Sequence, residues 1–282
     1  DANLNSKGSS MHFVIVGCGA VGGYFGGRLA QHDENVTFVA RGQQLKTLQT
    51  SGLTINSIEG DVNLSKVSVV NAENLSFDSL TTPADVIFLC VKSYQLPTAI
   101  AQIKPLIHQK TCVVSLLNGV NAADVMQEHG ISKENIFGGL AKIIAEKTAE
   151  GVINHTGAKP HITLGAFNFE GVTHESAELA LAKKSTDTEQ LSNIAKRLKL
   201  AGISVGVTSD IELALWRKFI FVAAWGALAS ARKLNLGEIR SQSHIEFLLE
   251  RIINEYADIA RKMGVNLNNK HIKETLTFLS RL

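Results

Sequence analysis

Apolar residues along this chain fall in short runs separated by longer mixed segments. His12 to Val16 is one such run and ends in Gly17, with Gly19 and Gly22 close behind. Val36 to Ala40 is a second, and Ala84 to Val91 and Cys112 to Leu117 are almost uninterrupted. Continuous apolar runs are what strands buried on both faces produce. Their alternation with helical segments predicts an α/β fold, a doubly wound parallel sheet. Two β-rich stretches between Leu53 and Val70 predict a hairpin or a pair of edge strands. After about Gly138 the pattern changes. Ile143 to Ala145, Val152 to His155 and His161 to Leu164 read as strands of an antiparallel extension, Thr186 to Leu200 as a helix and Ile203 to Val207 as a strand. From Ile211 onward the pattern is helical only. Ser209-Asp210-Ile211-Glu212 fits a capping box in which the Ser209 hydroxyl accepts from the Glu212 amide. This places a boundary near Thr208, between a dinucleotide-type domain at 11–208 and a helical domain at 209–282.

Composition narrows the class. The 282 residues include 28 Lys and Arg against 26 Asp and Glu, a formal net charge of +2, with 45% apolar residues. That supports an ordinary globular core and excludes disorder. It also lacks the concentrated basic excess that nucleic-acid binding needs. Cys18, Cys90 and Cys112 are odd in number and form no CxxC, so reduced thiols and a cytoplasmic location are expected. The nine histidines show neither HxxxH nor HExxH spacing, so no metal is expected. The polar stretch Asp1 to Ser10 has no signal-peptide architecture and reads as an appended leader ahead of Met11. The longest apolar run, Phe219 to Ala231, is shorter than the ~20 residues of a membrane span and reads as a buried helix.

Gly17-Cys18-Gly19-Ala20-Val21-Gly22 matches GxGxxG. It follows a strand and opens a helix, the context in which the motif has physical meaning. Gly17 permits a tight turn, Gly19 lets backbone approach a pyrophosphate, and Gly22 lets helix and strand pack closely. The expected domain is therefore of the Rossmann type. Where an NAD site has an acid after the second strand, this chain has Ala40-Arg41-Gly42. A guanidinium there can bind a 2′-phosphate bidentately, which favours NADP (NADPH) over a merely solvated surface Arg. Lys92, in Cys90-Val91-Lys92-Ser93, ends the fourth long β run. It is either a ligand-facing cation or a solvated strand terminator. Asn118, in Leu117-Asn118-Gly119-Val120, is first a turn residue and secondly a candidate for orienting nicotinamide or substrate.

Further along, Trp216-Arg217-Lys218-Phe219 lies on a helix whose only charges between Glu212 and Arg232 are Arg217 and Lys218. A lysine on so apolar a helix either snorkels to water or faces a cleft, where desolvation could tune it as a general acid.

Taken together, the glycine motif, Arg41, Val91-Lys92, Asn118-Gly119 and Glu212…Leu215-Trp216-Arg217-Lys218 resemble the ketopantoate reductase (2-dehydropantoate 2-reductase) family in order and spacing. The likeness covers nearly all of Met11 to Leu282. The resemblance implies a Rossmann-type domain followed by an all-helical C-terminal domain, with the active site in a cleft between them. It implies NADPH-dependent reduction of ketopantoate to pantoate, toward pantothenate and coenzyme A. It assigns Lys218 as general acid, Asn118 to substrate and nicotinamide placement, and Arg41 and Lys92 to NADPH. The expected partner is a small-molecule 2-oxo acid, with no nucleic acid and no membrane; a homodimer is an open alternative for the assembly. Two departures stand out. The family's asparagines one and two turns past the lysine are Val222 and Gly226 here, and the family's terminal serine and glutamate have no counterpart in the sequence. These keep open a reductase of another 2-oxo acid and, from a different class, a non-catalytic NADPH-binding protein.

Overall fold

The computed structural model describes residues 10–169, 177–233, 238 and 243–279. Apart from Ser10, the expected leader lies outside them. Contacts divide the chain into two units, one of residues up to Leu117 together with Asn121–Ser209, the other of Asn118–Val120 and Asp210–Leu282.

The first unit is built on one sheet, ten-stranded among the described residues. Its strands are β1 (His12–Val16), β2 (Asn35–Ala40), β3 (Leu53–Ser57), β4 (Val62–Leu64), β5 (Ser68–Asn71), β6 (Val86–Leu89), β7 (Cys112–Ser115), β8 (Ile136–Ala149), β9 (Val152–Ala166) and β10 (Ser204–Val207). Its longer helices are α1 (Ala20–Gln31), α2 (Gly42–Ser51), α3 (Leu96–Ile103), α4 (Ala122–Glu128) and α5 (Ala177–Leu200). The strands β5-β2-β1-β6-β7-β8 run in that order and every neighbouring pair is parallel. Renumbered within this set, the order is 3-2-1-4-5-6, the doubly wound arrangement in which ligands bind at the carboxyl ends of the strands flanking the reversal. Here that reversal falls between β1 and β6.

The continuous apolar runs are explained by burial on both faces. Phe13, Ile15, Val86, Phe88 and Val114 enter one core, while Val14, Val16, Ile87, Leu89 and Val113 enter the other. Each such side chain contributes about 1.5–3 kcal/mol of transfer free energy.

Beyond β8 the sheet becomes mixed. The three short strands expected between Ile143 and Leu164 are parts of two long ones, β8 and β9, paired antiparallel with register irregularities. Those irregularities break the alternation from which strand length is read. Strand β9 pairs in parallel with β3 along its first half and with β10 along its second. The β-rich stretch after Leu53 is both things expected of it: β3 and β4 form an antiparallel pair, and β5 is the far edge of the parallel set.

The second unit holds α6 (Ile211–Arg232), α7 (Ser243–Lys262) and α8 (Asn269–Leu279). The α6 cap differs from expectation by one residue. Asp210, not Ser209, is the N-cap, and its carboxylate accepts from the Leu213 amide at 2.9 Å. Nor is α6 buried all round. Trp216, Ile220, Ala224 and Leu228 enter a core with Leu249, Ile253 and Ala257 of α7, whereas Lys218, Val222 and Gly226 remain half-buried. Among the described residues no helix is long and apolar enough to cross a membrane.

Candidate active site

Strand β1 delivers Gly17 at the sheet's carboxyl edge with φ +97°, a backbone conformation that favours glycine. A Cβ there would stand 2.8 Å from the Cys90 carbonyl oxygen. Gly19 is the N-cap of α1, and being glycine it offers the first-turn amides no capping side chain. A Cβ on Gly19 would meet no protein atom within 4 Å, whereas one on Gly22 would overlap the Gly17 carbonyl oxygen and come within 3.0 Å of Cys90 Cβ. The two glycines therefore do different work. Gly22 closes the packing of helix on strand, and Gly19 leaves space open in front of a helix N-terminus, where amide donors and dipole favour an anion. Gly26 and Gly27 continue the close approach, with Phe38 Cε1 and Ile55 Cδ1 standing 2.6 and 2.5 Å from where their Cβ atoms would be.

In front of Gly19 lies a cavity of about 490 Å³ lined by Gly17, Cys18 and Gly19 from the glycine turn, Val39 to Arg41 from the end of β2, and Cys90 to Lys92 from the end of β6. Of the expected cofactor residues, Gly17, Cys18, Gly19, Arg41 and Lys92 are thus brought together, while Ala20, Val21 and Gly22 form the first turn of α1 behind the lining. Lys92 does not end its strand as expected. Strand β6 closes at Leu89, and the Lys92 amide donates to Gln95 Oε1 at 3.1 Å in a short turn before α3. Asn118 is exposed three residues beyond the end of β7 and belongs to the second unit, as does Lys218 on α6.

Among the lining residues that the local pattern does not single out are Gln44 and Lys147. The Gln44 amide nitrogen donates to the Cys18 carbonyl at 3.0 Å, and its oxygen accepts from the Gly151 amide at 3.2 Å. Lys147, on β8, pairs with Glu150 at 2.8 Å. Among the described residues the lining carries three cations, Arg41, Lys92 and Lys147, and no carboxylate. Burial pushes the Cys90 thiol up to about 12. Burial first, and then Cys90, also push Cys18 upward.

Two family descriptions cover the chain: Ketopantoate reductase PanE/ApbA matches residues 13–168, and Ketopantoate reductase PanE/ApbA C terminal matches residues 210–281. The chain belongs to the ketopantoate reductase family. Like its family, this reductase is an oxidoreductase acting on a CH–OH group. It is 29% identical over 255 residues to the uncharacterized oxidoreductase YkpB of Bacillus subtilis, covering 90% of this chain and 76% of that one. It is 25% identical to the 2-dehydropantoate 2-reductase of a Nostoc species, covering 94% and 77%. Among solved structures, the 2-dehydropantoate 2-reductase of Geobacter metallireducens superposes with a TM-score of 0.80 at 22% identity, over 96% of this chain and 83% of that one. A ternary complex of D-mandelate dehydrogenase with NADH and anilino(oxo)acetate superposes with a TM-score of 0.78 at 22% identity, over 96% and 79%. At these identities the superpositions establish the fold.

Proposed function

We propose that this reductase transfers a hydride from NADPH to the carbonyl carbon of a 2-oxo acid, with ketopantoate, reduced to pantoate on the way to pantothenate and coenzyme A, as the first candidate substrate. The observation that carries the cofactor choice is the cavity lining, where Arg41 follows β2 and no carboxylate stands among the described lining residues to repel a 2′-phosphate. The residues fit a dinucleotide on a second ground, the open space in front of Gly19 at the start of α1. When bound, the nicotinamide supplies the hydride.

This chain's residues then do the rest. The glycine turn binds the pyrophosphate through backbone amides, and Arg41 holds the adenosine end. Lys92 places a positive charge at the carboxyl edge of β6. Asn118 orients substrate and nicotinamide ribose. Lys218 donates a proton to the carbonyl oxygen as negative charge develops on it, so that the product hydroxyl forms with its C–H bond.

A second substrate reading, a different 2-oxo acid, is favoured by α6 itself. Val222 and Gly226 follow Lys218 by four and eight residues and share its face. Neither offers a side-chain hydrogen bond, and a Cβ on Gly226 would meet nothing within 4 Å. A polar dihydroxylated substrate loses partners on such a face, and hydrogen-bonding sites discriminate far more sharply than apolar ones. The similar fold of an enzyme named for mandelate agrees with an aromatic 2-oxo acid.

Direct titration with NADPH and NADH tests the cofactor reading. NADPH binds more tightly, and Arg41→Ala removes most of the preference, on the order of tenfold to a hundredfold, with little effect on NADH. Equal affinity for both in the unaltered protein overturns it.

A further inference from the structure

We propose that Lys147 binds the 2′-phosphate of the nucleotide together with Arg41, as a second specificity-determining cation contributed by the β8–β9 hairpin. The proposal rests on the NADPH reading above and adds to it a residue more than a hundred positions away from the glycine motif.

Strand register sets its direction. Lys147 is directly opposite Ile153 in the β8–β9 pair, and directly opposed residues of an antiparallel pair point to the same face. Ile153 is buried and lies so close to α1 that a Cβ on Gly23 would stand 2.9 Å from its Cγ1. Lys147 therefore projects on the face that meets the start of α1, and it lines the cavity with Cys18 and Arg41. Its ammonium also pulls the Cys18 thiol back down in part, against the stronger effect of burial.

The hairpin turn is fixed at this place. Gly151 donates to Gln44 Oε1, Gln44 Nε2 donates to the Cys18 carbonyl, and Thr54 donates to the Gly151 carbonyl at 2.8 Å. Gln44 follows Arg41 by three residues, on α2. One side chain thus ties the glycine turn, the helix after Arg41 and the hairpin bearing Lys147 into one frame around the adenosine end of the cavity. Gln44 is a positioning residue in this arrangement. Lys147 is held by Glu150, whose Oε1 stands 2.8 Å from its Nζ, and Glu150 Oε2 is buried without a hydrogen-bond partner. A cation held by one carboxylate, on a cavity whose lining also carries Arg41 and Lys92, suits an incoming phosphate dianion, which the ammonium can bridge while keeping its hold on Glu150.

The test uses adenosine 2′,5′-bisphosphate and adenosine 5′-monophosphate as probes, beside NADPH and NADH, with affinities from calorimetry. The unaltered protein prefers the 2′-phosphorylated member of each pair. Lys147→Gln narrows both preferences about tenfold, and Lys147→Arg keeps most of them. Because Lys147→Gln leaves Glu150 uncompensated, Lys147→Gln with Glu150→Gln serves as the stable counterpart and shows the same narrowing. Preferences unchanged in both variants but lost in Arg41→Ala overturn the role of Lys147 and leave the NADPH reading standing. Equal weakening of both members of a pair assigns Lys147 to the 5′-phosphate and also overturns it. No preference in the unaltered protein removes the NADPH reading and this proposal together.

Discussion

The two glycines at the start of α1 offer a test that separates folding from binding. At Gly19 the backbone is extended, with φ −79° and ψ −162°, a conformation alanine adopts without strain. A new methyl there meets no protein atom within 4 Å. Alanine is a poorer N-cap than glycine by up to about 1 kcal/mol, and the reduced freedom of the unfolded chain returns about 0.4–1 kcal/mol. Gly19→Ala is therefore expected to unfold within about 1 kcal/mol of the parent. Gly22→Ala reverses the balance. It gains about 1 kcal/mol of helix propensity, but its methyl overlaps the Gly17 carbonyl oxygen and crowds Cys90 Cβ and Ile15 Cγ2 at 3.0 Å each. The first of these is backbone and cannot rotate away, so overpacking costs at or above the usual ~1–3 kcal/mol. Urea unfolding gives the two stabilities, and quenching of protein fluorescence by NADPH gives the two affinities. Gly19→Ala should keep its unfolding midpoint and lose cofactor affinity by tenfold or more, because the methyl fills the approach to the pyrophosphate. Gly22→Ala should lose stability. A Gly19→Ala protein that binds NADPH normally, or a Gly22→Ala protein as stable as the parent, refutes the division of labour.

Three further outcomes are expected. Lys218→Ala lowers turnover by about 10²–10⁴ while leaving NADPH affinity within a few-fold; turnover close to the parent's on an active substrate removes the general-acid role. Val222→Asn raises kcat/KM on ketopantoate relative to other 2-oxo acids, and an unchanged substrate ranking contradicts the specificity argument from α6. Burial pushes Cys90 up to about 12 from an ordinary ~8.5, so its protonated form is favoured by folding. That contribution is complete below pH ~8.5 and is lost as pH rises toward about 12. Alkylation of Cys90 at pH 8 should be far slower in the folded protein than in urea, as peptide mapping would show; equal rates contradict the raised thiol pKa.

Much of this was legible in the residues. Strands buried on both faces write themselves as unbroken apolar runs, so β1, β2, β6 and β7 could be located within a few residues and a doubly wound sheet expected, though not its strand order. GxGxxG and Arg41 are local signals, and the cavity gathers them. Gln44 and Lys147 are not local. Lys147 reaches the site only because β8 extends beyond its parallel partner into a hairpin that returns over α1, and no spacing in the sequence encodes that return. The bulges in the same hairpin hid its length. The cap of α6 slipped by one residue because Ser209 and Asp210 are both good N-caps, and only the geometry of the Leu213 amide selects between them.

The activity proposed for this chain is NADPH-dependent reduction of 2-oxo acids. Its most direct test is the oxidation of NADPH, followed by absorbance, against a panel containing ketopantoate, branched-chain 2-oxo acids and phenylglyoxylate, repeated with NADH. The expected result is enzymatic turnover with at least one member, faster with NADPH than with NADH at equal subsaturating concentration. Oxidation of neither cofactor with any member, or a clear preference for NADH, contradicts it.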